Sequence, residues 1–326
     1  MRSLQISGRN QVAIVEIAPE AMEAGMVRVR VEAVGLCGTD FALTTGTLGL
    51  NVLPIIPGHE VVGMVIESGD ASLVVGDRVV LDPVFSCKDC WACDHGKPQW
   101  CSQVGVIGVV RPGGAREELV LPATQWIRLP SETPVEAAVL VEPAHVVETI
   151  IEAIGSDRPE RILVIGSGAL GLMTISVIKH LWPDTHVCVY DTATEQMLQA
   201  QTRGAKPWTP HENDPVDLVI DGVGIPASFD MGTEAVRPGG HIVVYGVPKP
   251  GASLPQPNVL FRKNVRLTFS RLYTHRFDQA VAWVTQGVVS PQEVVSNRLT
   301  LEDAATFLGG NLWKDPQRWG KTLVIL

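Results

Sequence analysis

The sequence has little of what would staple a small secreted fold together. Its 326 residues contain 6 cysteines, 3 tyrosines and 6% aromatics in all. Six cysteines over that length are too few for a disulfide scaffold, so the fold must rest on buried apolar cores. No uncharged apolar run reaches the roughly 18 residues that a membrane-spanning helix needs. The N-terminus, MRSLQISGRN, has no apolar h-region, so no secretory leader is expected. Cations are the minority charge, 26 Lys and Arg against 35 Asp and Glu, and the net charge of −9 argues against a nucleic-acid partner. Internal repeats with periods of about 20–50 residues and low-complexity tracts are also missing, which removes solenoids and disordered arrays. The expectation is a soluble, cytoplasmic chain with no membrane partner. With 45% hydrophobic and 19% charged residues, it is long enough for two domains with sizeable cores.

The few cysteines are concentrated. Cys87, Cys90, Cys93 and Cys101 stand in CKDCWACDHGKPQWC, with the spacing C-x2-C-x2-C-x7-C. Thiolates this close can converge on one tetrahedral ion, and four sulfurs with no open position make a structural zinc site. An iron–sulfur cluster is the alternative. The bacterial ferredoxin pattern, however, places its fourth cysteine sooner and a proline after it, where this chain has Ser102. Upstream, Cys37 stands in GLCGTD, and His59 and Glu60 stand in GHE. A soft, a borderline and a hard ligand suit a second zinc that keeps a position free for water or substrate. One closed and one open site point to a metalloenzyme with two zincs per chain. Cys188, in the apolar run HVCVY, reads as core.

Along the chain, the first third is rich in β signals. VRVRVEAVG alternates before Cys37, and VVGMVIESG, DRVVLDP and EELVLPATQWIRLP are short runs broken by Gly, Asp and Pro. From Pro134 the pattern turns helical, and PVEAAVLVEPAHVVETIIEAIG, with Pro143 near its middle, reads as two helices or one kinked helix. Strands are then expected at 161–165, 186–191, 217–224, 241–247 and 265–271, alternating with helical segments. That alternation implies an α/β class with a parallel sheet covered on both faces. The tail, from about Tyr273, returns to helix in FDQAVAWVTQG, where His275 and Arg276 stand just before as caps or solvated groups. It ends in the strand KTLVIL, which is expected to rejoin the first domain.

Gly166-Ser167-Gly168-Ala169-Leu170-Gly171 fits GxGxxG between an expected strand and an expected helix, the context that gives the motif force. Gly166 permits the tight turn, Gly168 lets backbone approach a pyrophosphate, and Gly171 lets helix pack on strand. The helix N-terminus then offers N–H donors and a positive dipole to phosphates. Asp191 ends the next strand, twenty residues beyond Gly171, with no arginine or lysine close after it. A carboxylate there accepts from ribose hydroxyls and repels a 2′-phosphate, which favours NAD over NADP. Gly222 and Val223, and Gly246 and Val247, end later strands and belong by the same logic to the cofactor crevice.

Cys37, GHE at 58–60, GDRV at 76–79, the four-cysteine loop and GSGALG occur in one order, and GHEVVGMVIESG matches a zinc signature of the form GHE-x2-G-x5-G. In this the chain resembles the zinc-dependent medium-chain dehydrogenases of the alcohol dehydrogenase superfamily, over nearly its whole length. With Glu60 after the histidine and Leu140-Val141-Glu142-Pro143 resembling LxEP, it is most similar to the polyol, threonine and sugar-acid branch. The resemblance implies a GroES-like catalytic domain at 1–142, a Rossmann NAD-binding domain at 143–271 and a return segment at 272–326 that completes the first. It implies Cys37, His59 and Glu60 as ligands of a catalytic zinc, Glu142 as a direct or water-bridged ligand, and Asp40 as the carboxylate that holds the ligand histidine. Thr39 matches the residue that takes the substrate hydroxyl proton. Two readings of Glu60 stay open, ligand or supporting carboxylate; Glu142 reads equally as a helix-start carboxylate.

The implied activity is hydride transfer between NAD(H) and a secondary alcohol or ketone of a small-molecule polyol, sugar acid or hydroxy amino acid, by a homodimer or homotetramer. A primary-alcohol enzyme of the same family and a non-catalytic NAD-binding or redox-sensing protein are the alternatives. The chain departs from many relatives in carrying Ala42 where they have a histidine that passes the proton on. Phe41, Phe85 and Trp91 read as pocket walls or as core, Arg271 as a substrate-carboxylate partner or a surface group, His95 as solvated and His145 as a packed helix residue.

Overall fold

Alternating valines build the longest strand. In Met26–Leu36, Val27, Val29 and Val31 are buried while Arg28 and Arg30 point away, as the two-residue period of a strand dictates. A register irregularity between Val31 and Ala33 then breaks the alternation, and Ala33, Val34 and Leu36 are all buried. The structure, a computed structural model, describes residues 1–49, 51–209, 215–248, 256–272, 277–314 and 320–326. His275 and Arg276 lie outside them. The chain divides into two units, Met1–His145 with Tyr273–Leu326, and Val146–Leu272.

In the first unit, a seven-stranded sheet runs in the order Val295–Leu299, Lys321–Ile325, Met26–Leu36, Glu60–Ser68, Arg78–Leu81 and Trp126–Arg128, with Glu118–Pro122 also paired to Met26–Leu36. The terminal strand is therefore interior, parallel to Val295–Leu299 and antiparallel to Met26–Leu36. A core of Leu4, Ile6, Val29, Val61, Leu81, Leu119, Phe307 and neighbours lies within this unit. The segment after Pro134 forms two helices, Val135–Ala138 and Val141–Ile154. Pro143 falls in the first turn of the second, where its missing N–H costs no hydrogen bond.

The second unit carries a six-stranded, all-parallel sheet in the order Lys206–Pro207, His186–Tyr190, Arg161–Ile165, Val216–Asp221, Val236–Val244, Arg266–Phe269. Numbered by sequence this is 3-2-1-4-5-6, the doubly wound Rossmann order. The turn of the order lies between Arg161–Ile165 and Val216–Asp221, and ligands bind outside the carboxyl ends of strands at such a point. The short stretch after Gly204 supplies the edge strand and the buried Trp208; residues 210–214 of it lie outside those described. Among the described residues, no helix is long and apolar enough to cross a membrane.

Candidate metal centres and cofactor site

Cys37 precedes the helix Gly38–Thr45, and His59 stands just before the strand Glu60–Ser68, which pairs with Met26–Leu36 so that Glu60 faces Gly35. This pairing brings one ligand atom each from Cys37, His59 and Glu60 within 4.8 Å of one another. His59 is 6% exposed and Glu60 2%. The Nδ1 of His59 is buried without a hydrogen-bond partner, which a folded protein tolerates where a ligand or ion satisfies it. Burial works to lower the pKa of His59, but a hydrogen bond with Cys37 and the charges of Asp40, Cys37 and Glu142 raise it well above its ordinary value. A site so rich in negative charge, with an unsatisfied ring nitrogen and a thiol, fits a divalent metal ion.

Asp40 is fully buried, which raises its pKa against the opposing charge of His59. Its oxygens accept from the backbone N–H of Cys37 at 2.8 Å and of Gly58 at 3.2 Å. It thus ties the two ligand-bearing segments together through their backbones. Thr39 places its Oγ1 3.9 Å from Cys37 Sγ. Glu142, 5% exposed, lies outside the set of three, and its charge is felt by His59 and by Lys321. His145, one turn further along the same helix, packs its ring against Phe277 with centroids 4.2 Å apart.

Lys321 is a residue that sequence reasoning missed. It is 4% exposed and donates to both carboxylate oxygens of Glu60, at 2.5 and 2.7 Å. Burial would lower its pKa, but the charges of Glu60 and Cys37 hold it above the ordinary value. The available signal was a cation at the head of the apolar terminal strand KTLVIL. Gly35 was missed as well: a Cβ there would collide with the Glu60 carboxylate.

The four-cysteine loop closes on itself. Sulfur separations are 3.5 Å for Cys87 and Cys101, 3.6 Å for Cys90 and Cys93, and 3.9 Å for Cys87 and Cys93. A tetrahedron with metal–sulfur bonds of about 2.3 Å has edges of about 3.8 Å, whereas a disulfide needs about 2.05 Å. The four cysteines of the loop form no disulfide, and they lie within reach of one ion. A hydrogen bond from Ser86 leads the contacts that lower the Cys93 thiol to about 6, while one with Asp89 leads those that push the Cys87 thiol up to about 12. His95 is exposed and stacks on Trp91, itself 65% exposed and therefore not core. Phe41 stacks on Trp313 at 4.7 Å and Phe85 lies under Arg111, at 3.9 Å.

In the second unit, Gly166 ends the first strand with φ at +91° and Gly168 caps the helix Ala169–Leu181. A Cβ at Gly171 would strike the Gly166 carbonyl, so helix and turn approach only because it is glycine. Asp191 accepts from Ser167 N at 2.6 Å, Ser167 Oγ at 3.0 Å and Ala193 N at 2.9 Å, which locks it against the glycine turn. Ser167 was not singled out from sequence. Asp221, 1% exposed, orders the next loop by accepting from Val223 N at 2.8 Å, Gly224 N at 3.1 Å and Ser228 Oγ at 2.8 Å. Gly222 and Gly246 back against each other there, and Val223 and Val247 are exposed. Arg271 is exposed beyond the last strand. Gly166, Gly168, Asp191, Gly222 and Gly246 thus gather at the carboxyl edge of one sheet.

Comparison with known proteins agrees with this layout. Residues 23–131 match the alcohol dehydrogenase GroES-like domain, and residues 169–286 match the zinc-binding dehydrogenase domain. The starvation-sensing protein RspB of Escherichia coli K12 is 28% identical over 94% of both chains. The D-altritol 5-dehydrogenase of Agrobacterium fabrum is 30% identical over 94% of this chain and 95% of its own. The rspB alcohol dehydrogenase of Escherichia coli CFT073, solved with NADH, aligns with a TM-score of 0.90 at 27% identity, covering 100% of this chain and 99% of that one. The two metal-ligand sets, the Rossmann sheet and these relatives together place the chain in the zinc-type medium-chain alcohol dehydrogenase superfamily.

Proposed function

We propose that the protein is a zinc- and NAD-dependent dehydrogenase that interconverts a secondary alcohol and its ketone on a polyol, sugar acid or hydroxy amino acid. The observation that carries the reading is the convergence of Cys37, His59 and Glu60 within 4.8 Å, apart from the closed cysteine set. Cys37 and His59 would hold a catalytic zinc, with Glu60 and Glu142 as its carboxylates; Cys87, Cys90, Cys93 and Cys101 would hold a structural one. When bound, zinc lowers the pKa of an alcohol and the nicotinamide accepts hydride. Thr39 Oγ1, beside Cys37, would accept the substrate's hydroxyl proton while passing its own on to solvent. Asp40 keeps the ligand-bearing segments in register through its two backbone hydrogen bonds. Asp191 receives the ribose hydroxyls of NAD, and its charge opposes a 2′-phosphate. The polyol class draws support from the D-altritol 5-dehydrogenase among the relatives.

The test is metal analysis of the purified chain, with NADH absorbance followed over polyols, aldonates, threonine and simple alcohols, each with NAD and NADP. The expected result is two zincs per chain and reduction of NAD by a polyol or sugar acid. One zinc, held by the cysteine loop alone, with no turnover of any substrate would transfer the reading to a non-catalytic binding protein.

A further inference from the structure

The terminal strand carries a cation into the candidate catalytic centre that the proposed chemistry does not use. Lys321 opens the strand Lys321–Ile325, whose next residue, Thr322, pairs with Leu36. Its ammonium reaches both oxygens of Glu60, at 2.5 and 2.7 Å, and the Leu36 carbonyl at 3.4 Å, just before Cys37. These contacts use the three donors a lysine has. Glu60 rests there because of its cross-strand partner: residue 35 is glycine, and a Cβ at that position would occupy the space of the carboxylate. Glu60 therefore stands between two cation positions, the ammonium on one side and the Cys37–His59 pair, within 4.8 Å, on the other.

We propose that Lys321 is a positioning residue that restrains Glu60 from the metal held by Cys37 and His59, so that Glu60 is a weak, exchangeable ligand and a coordination position stays available to the substrate oxygen. The inference rests on the reading of Cys37, His59 and Glu60 as a metal site. Its physical basis is competition. A carboxylate whose two oxygens already accept from an ammonium in a dry site offers less negative potential to a divalent ion. The ammonium also repels that ion directly. Both effects make the Glu60–metal bond the one that yields when substrate enters. A lysine present only to support the fold would have the same partners, but the two roles differ in sign: removing a structural support loosens a metal site, whereas removing a competitor tightens it.

The experiment compares the full-length chain, Lys321→Met and Lys321→Met/Glu60→Gln, all loaded with zinc. Release to a colorimetric chelator is followed, with kcat and KM measured alongside. Lys321→Met is expected to slow release of the Cys37–His59 zinc about tenfold, the size of effect that partners of metal ligands exert, and to lower kcat more than it changes KM. Adding Glu60→Gln is expected to bring release back to the wild-type rate or faster. A folded Lys321→Met chain that releases this zinc as fast as wild type, or faster, overturns the inference and leaves the metal-site reading intact. A wild-type chain that holds zinc only in the cysteine loop overturns that reading, and the inference falls with it.

Discussion

On the proposed function, Asp191 is the side chain on which the choice of dinucleotide would turn. Three donors from Ser167 and Ala193 hold it against the glycine turn, so its carboxylate is oriented before any ligand arrives. The lone pair these leave on the carboxylate suits a ribose hydroxyl, and a charge-assisted hydrogen bond is worth about 1.5–3 kcal/mol. Asp191→Ala should therefore lower kcat/KM for NAD about 10–100-fold and lift the penalty on NADP, so that the preference between the two collapses. Initial rates with both dinucleotides decide it, and an unchanged ratio would remove Asp191 from the specificity site. Asp191 was legible in the sequence because strand, glycine turn and carboxylate lie within one local βαβ unit. Lys321 was not, because it meets Glu60 across 261 residues of chain and nothing in KTLVIL marks which side of the strand faces the metal centre.

At the scale of elements, the four-cysteine loop is the segment that, on the proposed reading, would depend most on an ion. Between Ser86 and Val104 only Ala92 and Cys101 are buried, far too little apolar surface to order nineteen residues. Its two short helical turns, Trp91–Asp94 and Pro98–Trp100, are below the length at which a helix is stable by itself. On the proposed reading, metal-binding free energy would supply the folding free energy of the loop. Cys101→Ser is expected to lower zinc from two to one per chain and to open the loop to protease between residues 86 and 104. Metal analysis with mass-spectrometric mapping checks this, and a loop that stays resistant without its zinc would refute it. Ligand spacing made this element readable from sequence, since C-x2-C-x2-C-x7-C is local chemistry. The strand Val236–Val244 was read only from His241, because Pro238, Gly239 and Gly240 look like a loop. Its first pairing, Val236 with Val216, is separated from the rest by a register irregularity.

At the scale of the whole molecule, the two units differ in how the chain makes them. Val146–Leu272 is one continuous segment with its own parallel sheet and its own core of Leu163, Val219, Phe229 and Val244. The other unit is closed only when Tyr273–Leu326 returns to Met1–His145, and the decisive piece of that return is Lys321–Ile325. This strand is interior to its sheet: Leu323 and Val324 are fully buried, and it pairs with Val295–Leu299 on one side and Met26–Leu36 on the other. Deleting residues 320–326 would leave two unpaired strand edges over an open core and would strip Glu60 of its ammonium, a loss that costs about 3–5 kcal/mol when a buried pair is broken from one side. The two losses fall on the same few residues around Cys37, so the truncated chain is expected to lose the fold of the first unit rather than merely its activity. The second unit has no such debt to the terminus. Limited proteolysis of the truncated protein should therefore digest residues 1–145 while a fragment close to 146–272 survives and still binds NADH by fluorescence. A truncated chain whose first unit resists protease would mean that the sheet is held without its terminal strand, and would refute the prediction.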